Sequence, residues 1–249
     1  EGLSLNNNLL YRHRFGKIGR TITIGWSNNY SESEADAFSI SSTKFYNSNG
    51  QTQGSFVQDR NIIQKTFTRN NTLSTSYTEP IGKDKLLELN YAYTHNSNTS
   101  DKKTFDYDPG SGKYTTINPL LTNYFENLYT SNRFGANFRV QKKKYNYQVG
   151  VGMQLSDLKS KSLPGTATEK TITKQEFKNF FPTANFNYQP TRAKSLRFNY
   201  RGRTNQPSLT QLQNVVDQSN PLQWRTGNPN LKQEFSHNFN LGYNTFNIL

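Results

Sequence analysis

Seven arginines share one parity within stretches of alternating residues: Arg12 and Arg14, Arg133 and Arg139, and Arg197, Arg201 and Arg203. Guanidinium groups an even number of residues apart on a strand project from one face, where together they would attract an anion or hydrogen-bond an acidic protein surface. Arg133, Arg139, Arg197, Arg201 and Arg203 are the candidate ligand contacts, joined by Trp224, which is expected to anchor a long connection.

Catalytic constellations do not assemble. The three histidines, His13, His95 and His237, fall in separate stretches, His13 near a tight turn and the others toward long connections, so neither a triad nor a histidine-held metal is expected. Gly110-Ser111-Gly112-Lys113 has the end of a phosphate loop, but Tyr107 stands where the first Gly is needed and Tyr114 where Ser or Thr would reach Mg²⁺. It reads as a hairpin tip. Asp106-x-Asp108, with Asp101 and Ser111, has the oxygen chemistry for Ca²⁺, but the Gly is displaced from its place in a calcium loop. The reading is a non-enzyme with no metal and no cofactor.

The element that positions the arginines is a long strand. In residues 145–156, Tyr145, Tyr147, Val149, Val151, Met153 and Leu155 alternate with Asn146, Gln148, Gly150, Gly152 and Gln154. That length is the 9–11 residues a tilted strand needs to cross a bilayer, against about 5–6 in a soluble sheet. Leu3, Leu5, Leu9, Tyr11 and Phe15 share a parity, then Ile22, Ile24, Trp26 and Tyr30, with a turn at Gly16-Lys17-Ile18-Gly19 between them. Phe67, Leu73 and Tyr77 lead to a turn at Pro80-Ile81-Gly82-Lys83 and return as Leu87, Leu89, Tyr91 and Tyr93. Leu128, Phe134, Ala136, Phe138 and Val140 turn at Lys142-Lys143-Lys144 into the stretch already described. Phe180, Ala184, Phe186 and Tyr188 turn at Gln189-Pro190-Thr191-Arg192 into Leu196, Phe198 and Tyr200, and a ninth strand carries Phe235, Phe239, Leu241 and Tyr243.

Short turns thus alternate with long polar connections at about 31–62, 96–123, 157–175 and 205–232, the asymmetry of short periplasmic turns and long extracellular loops. Two connections should project as hairpins, around Asn49-Gly50 and around Pro109-Gly110-Ser111-Gly112. Pro207 to Leu212, with Val215 and Val216, suggests a short amphipathic helix folding into the mouth. The fold class is all-β: an antiparallel up-and-down transmembrane β-barrel, here about nine or ten long strands. A soluble barrel or sandwich and a self-contained barrel of eight to ten strands are the alternatives.

Composition agrees. The chain has 249 residues, a net charge of +13 and 32% hydrophobic residues, yet 17 Phe and 15 Tyr are too many for a solvating tail and suit a one-sided apolar band with aromatic girdles. A sequence pI of about 9.8 suggests nucleic acid, but the aromatics lie opposite the arginines, so stacking and phosphate contact would not share a surface and no nucleic acid partner is expected. No run of apolar residues is long enough for a transmembrane helix, there are no cysteines, and both termini are expected to be cuts within a longer protein.

The last third carries specific wording: Phe180-Phe181-Pro182-Thr183-Ala184-Asn185, Ser195-Leu196-Arg197-Phe198-Asn199-Tyr200-Arg201, Gln206-Pro207-Ser208-Leu209-Thr210-Gln211-Leu212 and Gly227-Asn228-Pro229-Asn230-Leu231-Lys232-Gln233-Glu234. In order and spacing these blocks resemble the barrel of TonB-dependent-receptor-like outer membrane proteins, as do Tyr77-Thr78-Glu79-Pro80-Ile81-Gly82-Lys83 and Phe105-Asp106-Tyr107-Asp108-Pro109. The resemblance implies a barrel of roughly 22 strands in the bacterial outer membrane, plugged by an N-terminal domain and importing a nutrient with energy from an inner-membrane complex. Its implied partners are outer-membrane lipid, the plug and remaining strands, an inner-membrane energy-coupling protein and a surface lipoprotein. Residues 1–249 would be a single barrel segment, without plug or energy-coupling segment, and Gln233 stands where the family often has Pro. The other functional reading is a non-transporting surface barrel that serves adhesion or assembly.

Overall fold

The computed structural model describes residues 1–205, 207, 209–212, 217–220, 223–228 and 230–246. Gln206, Ser208, Val215, Val216 and Pro229 of the stretches singled out above lie outside the described residues.

The alternating stretches form strands joined by tight turns: β1 Gly2–Arg14, β2 Thr21–Tyr46, β3 Thr52–Gly82, β4 Lys85–Asp108, β5 Lys113–Ile117, β6 Asn123–Gln141, β7 Tyr145–Pro164, β8 Thr171–Thr191 and β9 Lys194–Asn205. A one-turn helix α1 (Leu209–Leu212), the short strands β10 (Asp217–Asn220) and β11 (Gln223–Arg225), and β12 (Glu234–Thr245) follow. Strands β1-β2-β3-β4-β6-β7-β8-β9-β12 pair in that order, all antiparallel, with β5 on the outer end of β4 and β10-β11 as a separate hairpin. The sheet is open: among the described residues β1 and β12 do not pair with each other.

The register carries one parity across the whole sheet. Tyr11, Ile24, Thr75, Tyr91, Phe134, Met153 and Phe180 stand side by side on seven successive strands, so their side chains share one face. The same face continues through Tyr147, Phe186, Phe198 and Leu241. Its apolar side chains are open, Val149 being 48% and Val151 54% exposed, while buried hydrophobics are few: Leu121, Phe125, Val140, Phe181 and Leu212. A water-soluble sheet would bury that face; here it forms a continuous apolar band, which is what a lipid solvent requires.

The strands run far past this band. The expected long loop at 31–62 is a continuous ladder from Thr21↔Thr78 to Tyr46↔Thr52, interrupted by a bulge beside Phe45. It closes at Asn47–Gln51, where the Asn47 side-chain oxygen accepts the Asn49 and Gln51 N–H groups and Gly50 adopts a φ of 75°, which a side chain would resist. The second projecting hairpin is also present, with Tyr107 paired to Tyr114 and Asp108 to Lys113.

Two turns sit further along than the sequence suggests. Pro80 pairs with Leu86, and the chain reverses at Lys83-Asp84, with Asp84 at a φ of 62°. Thr191 pairs with Lys194, so the reversal falls at Arg192-Ala193 and Gln189-Pro190 occupy a register shift. Proline lacks the N–H a ladder needs and is accommodated at an irregularity, whereas Asp tolerates the left-handed region that a two-residue turn demands.

Candidate functional site: the inward face

The register puts Arg12 opposite Thr23, Arg14 opposite Thr21, Arg133 between Ala92 and Gln154, Arg139 between Leu86 and Gln148, Arg197 opposite Asn187, Arg201 opposite Thr183 and Arg203 opposite Ser236. All seven lie on the face away from the apolar band, as their parity predicts. In a closed wall this is the lumen face.

Arg133 is the most enclosed of the seven arginines, the other six being exposed. Its guanidinium lies 4.8 Å from the centre of the Phe181 ring, an attraction of about 0.5–2 kcal/mol for a partly desolvated pair. Phe181 faces inward because it pairs with Gly152, and it is buried although its neighbour Phe180 stands on the apolar band. Phe125 also faces inward and is buried. The strict sorting of aromatics to lipid is therefore corrected: a few inward aromatics carry the cationic and polar side chains. Beside them the Gln154 side-chain N–H donates to the Tyr129 hydroxyl at 2.8 Å. Asn127 and Ser156 are buried on the same face, and both side-chain amide atoms of Asn127 and the Ser156 hydroxyl lack hydrogen-bond partners.

A carboxylate shares the face. Glu88 accepts a hydrogen bond from Asn137 at 3.1 Å and is approached by Asn90 at 3.5 Å. Room for these carboxamides comes from missing side chains: a Cβ on Gly150 would collide with Asn137, and one on Gly135 with Asn90. Glu88, Asn137, Gly150, Thr183 and Arg201 occupy one cross-strand row, a polar track with an anion at one end and a cation at the other.

The helix α1 lies over this surface. Leu212 is buried and lines a small cavity with Leu158, Ser160, Thr173 and Gln175 of β7 and β8. The Asn228 N–H donates to the Gln211 carbonyl at 2.6 Å, and Asn179 of β8 donates to Gln233, drawing both ends of the connection inward. The anchoring expected of Trp224 falls to Leu212 instead, because Trp224, in β11, is 65% exposed.

The carboxylates proposed for Ca²⁺ are engaged elsewhere. Asp106 accepts from Arg60 at 3.1 Å and Asn118 at 2.8 Å, while Asp108 accepts the Gly110 N–H and the Ser111 hydroxyl. No cluster of metal-ligating side chains occurs among the described residues. The histidines stay apart: His13 stacks on Tyr11 and meets Phe15 edge-on, and His237 Nδ1 lies 3.0 Å from the Tyr200 hydroxyl.

Sequence reading missed a charged cluster at the turn rim. Glu79 accepts from Lys17 at 2.6 Å, from Arg20 at 2.7 and 2.9 Å and from Tyr77 at 2.7 Å, joining the first two hairpins. At the next turn the Lys142 ammonium is 2.7 Å from the Asp84 carboxylate. The hydrogen bond from Lys142 holds Asp84 below its ordinary 3.8, and the same contact raises Lys142 above its ordinary 10.5. The turn lysines thus mark this rim, and some have specific acidic partners.

A sequence model of the outer membrane protein beta-barrel family matches residues 13–249. The chain belongs to that family. As a member it is an outer-membrane protein with short periplasmic turns and long extracellular connections, and the tall hairpins therefore stand on the cell surface. Among solved structures, the ferric citrate transporter FecA is similar at 11% identity and a TM-score of 0.53, over 82% of this chain and 27% of that one. The siderophore receptor PiuA from Acinetobacter baumannii is similar at 11% identity and a TM-score of 0.54, over 82% of this chain and 32% of that one. At this identity the likeness establishes the fold alone, that of a stretch of outer-membrane barrel wall, and the chain spans under a third of either protein. No curated protein matches in sequence.

Proposed function

We propose that this family member is one wall of a TonB-dependent-receptor-like transporter that imports a nutrient across the outer membrane. In this reading residues 1–249 are a single barrel segment. The remaining strands close it, a plug domain fills it, and an inner-membrane energy-coupling protein acts through the plug. A surface lipoprotein is a further partner on the loop side. Arg133, Arg139, Arg197, Arg201 and Arg203 contact the ligand or an acidic plug surface, and Trp224 contacts the ligand from the mouth.

The observation that carries the reading is the inward arginine face, which Glu88 shares at the far end of the row from Arg201. Cations confined in a low-dielectric cleft concentrate anions and raise their encounter rate. The experiment is uptake and binding by the full-length protein with Arg133→Gln and Arg201→Gln together. Apparent affinity for an anionic nutrient should fall about tenfold or more, with outer-membrane assembly intact. Unchanged uptake would remove the transport role from these side chains.

The adhesion or assembly reading draws on the hairpin of β2 and β3, which presents Phe38, Ile40 and Val57 to solvent beyond the band. Shortening that hairpin should abolish cell-surface attachment while sparing uptake if adhesion is the function.

A further inference from the structure

On the outward face the apolar band ends at Leu155 of β7 and Phe180 of β8, and a set of lysines begins. Lys178 stands opposite Leu155; one pleat further out Asp157 faces Glu176; one pleat beyond that Lys159 faces Lys174. Directly opposed like charges repel, so two ammonium groups abreast are an unfavourable arrangement for the sheet alone. Neighbouring cations are already engaged: Lys161 is 2.6 Å from Glu126, and Lys170 lies 5.2 Å from the centre of the Tyr124 ring. Lys159, Lys174 and Lys178 have no ion-pair or hydrogen-bond partner among the described residues. Five lysines against the three carboxylates Glu126, Asp157 and Glu176 leave the patch positive.

Position decides what such a patch meets. These side chains continue the parity of Val149 and Val151, so they look toward the bilayer and not into the lumen. Lys159 and Lys174 lie four residues beyond Leu155, about 13 Å along a tilted strand, at the height where headgroups begin on the cell-surface side. Lys159 is half-buried, so its stem is partly covered while its charged end can stay in a polar layer, and Lys174 and Lys178 are exposed, which leaves their ammonium groups open to a headgroup.

We propose that Lys159 and Lys174 clamp the phosphate groups of lipid headgroups in the outer leaflet, with Lys178 beneath them at the band edge. Two ammonium groups abreast supply charge-assisted donors to one phosphate, and the phosphate relieves their repulsion. Asp157 and Glu176, between clamp and band, confine the phosphate to the outer position.

The test uses the full-length protein in lipid discs containing bisphosphorylated lipid A, with bound lipid counted by native mass spectrometry. Lys159→Gln with Lys174→Gln should lower retained lipid A about tenfold or more at low salt, since each interfacial lysine contributes roughly fivefold. Lys159→Arg with Lys174→Arg should retain it. Lys142→Gln with Lys143→Gln, an equal charge loss at the opposite rim, should leave it unchanged. Equal loss in that control would overturn the proposal, as would full retention by the Lys159 and Lys174 glutamine pair. Two arms use unaltered protein and do not depend on variant folding: dephosphorylated lipid A should bind at least tenfold less, and millimolar inorganic phosphate should not displace the lipid. Equal binding of the dephosphorylated lipid, or displacement by inorganic phosphate, would overturn the lipid assignment.

Discussion

Single positions on the inward face are fixed by what they lack. Gly150 has the Asn137 carboxamide in the space of a side chain and Thr183 close behind it, so Gly150→Ala must expel Asn137 and break its hydrogen bond to Glu88. A loss of about 1–3 kcal/mol is expected, measured by urea unfolding of the full-length protein in detergent, and Gly16→Ala, in open space at a turn, should cost far less. The Asp84 and Lys142 pair gives a pH dependence with a definite sign. The folded-state value of Asp84 is depressed, so its contribution is present above 3.8 and is lost as pH falls through the folded value; that of Lys142 is raised, so its contribution is present below 10.5 and is lost as pH rises through the folded value. Hydrogen-exchange protection at the Lys83-Asp84 and Lys142–Lys144 turns, corrected for the intrinsic pH dependence of amide exchange, should therefore be high at neutral pH and fall in acid, and Asp84→Asn should flatten the acid limb. The arginine face was legible in the sequence because it follows a period of two. Phe181 was not, since adjacent phenylalanines face opposite ways and parity alone does not say which inward position is roomy enough for a ring; Gly152 opposite decides it.

Elements were legible where their two faces meet different solvents. Strand β7 announces itself because Tyr147, Val149 and Val151 meet lipid while Gln148, Gly150 and Gly152 do not. Beyond the band both faces are wet, and stretches such as Ser39-Ile40-Ser41-Ser42-Thr43 lose the alternation, so they read as loop although their backbone keeps pairing. The short helix was legible from Pro207 and the apolar spacing after it, but its anchor was misassigned to the larger Trp224. Leu212 is the residue seated between β7 and β8. Leu212→Ala should release the connection with a local cost of about 2–3 kcal/mol, seen as faster hydrogen exchange at 209–212 with the sheet unchanged. Trp224→Ala should leave that exchange as it is.

At the scale of the whole molecule, the open sheet with one apolar and one basic face is a wall with lipid on one side and a polar interior on the other. Spin labels at Tyr147, Val149 and Val151 in membranes should respond to lipid-phase oxygen, and labels at Gln148 and Gly150 should not; equal response of both sets would refute the register. The hairpin of β2 and β3 adds a separate constraint on the whole. Strand β3 has 31 residues, about 100 Å of ladder, while crossing the bilayer takes only about a third of that. Any change in the height of this mast has to remove or add residues on both arms in equal number, because a one-sided change of a single residue would turn every side chain above it to the opposite face. Natural length variants of this protein should therefore differ at the tip in matched steps, and a lone insertion in one arm should survive only where a bulge, as beside Phe45, absorbs it.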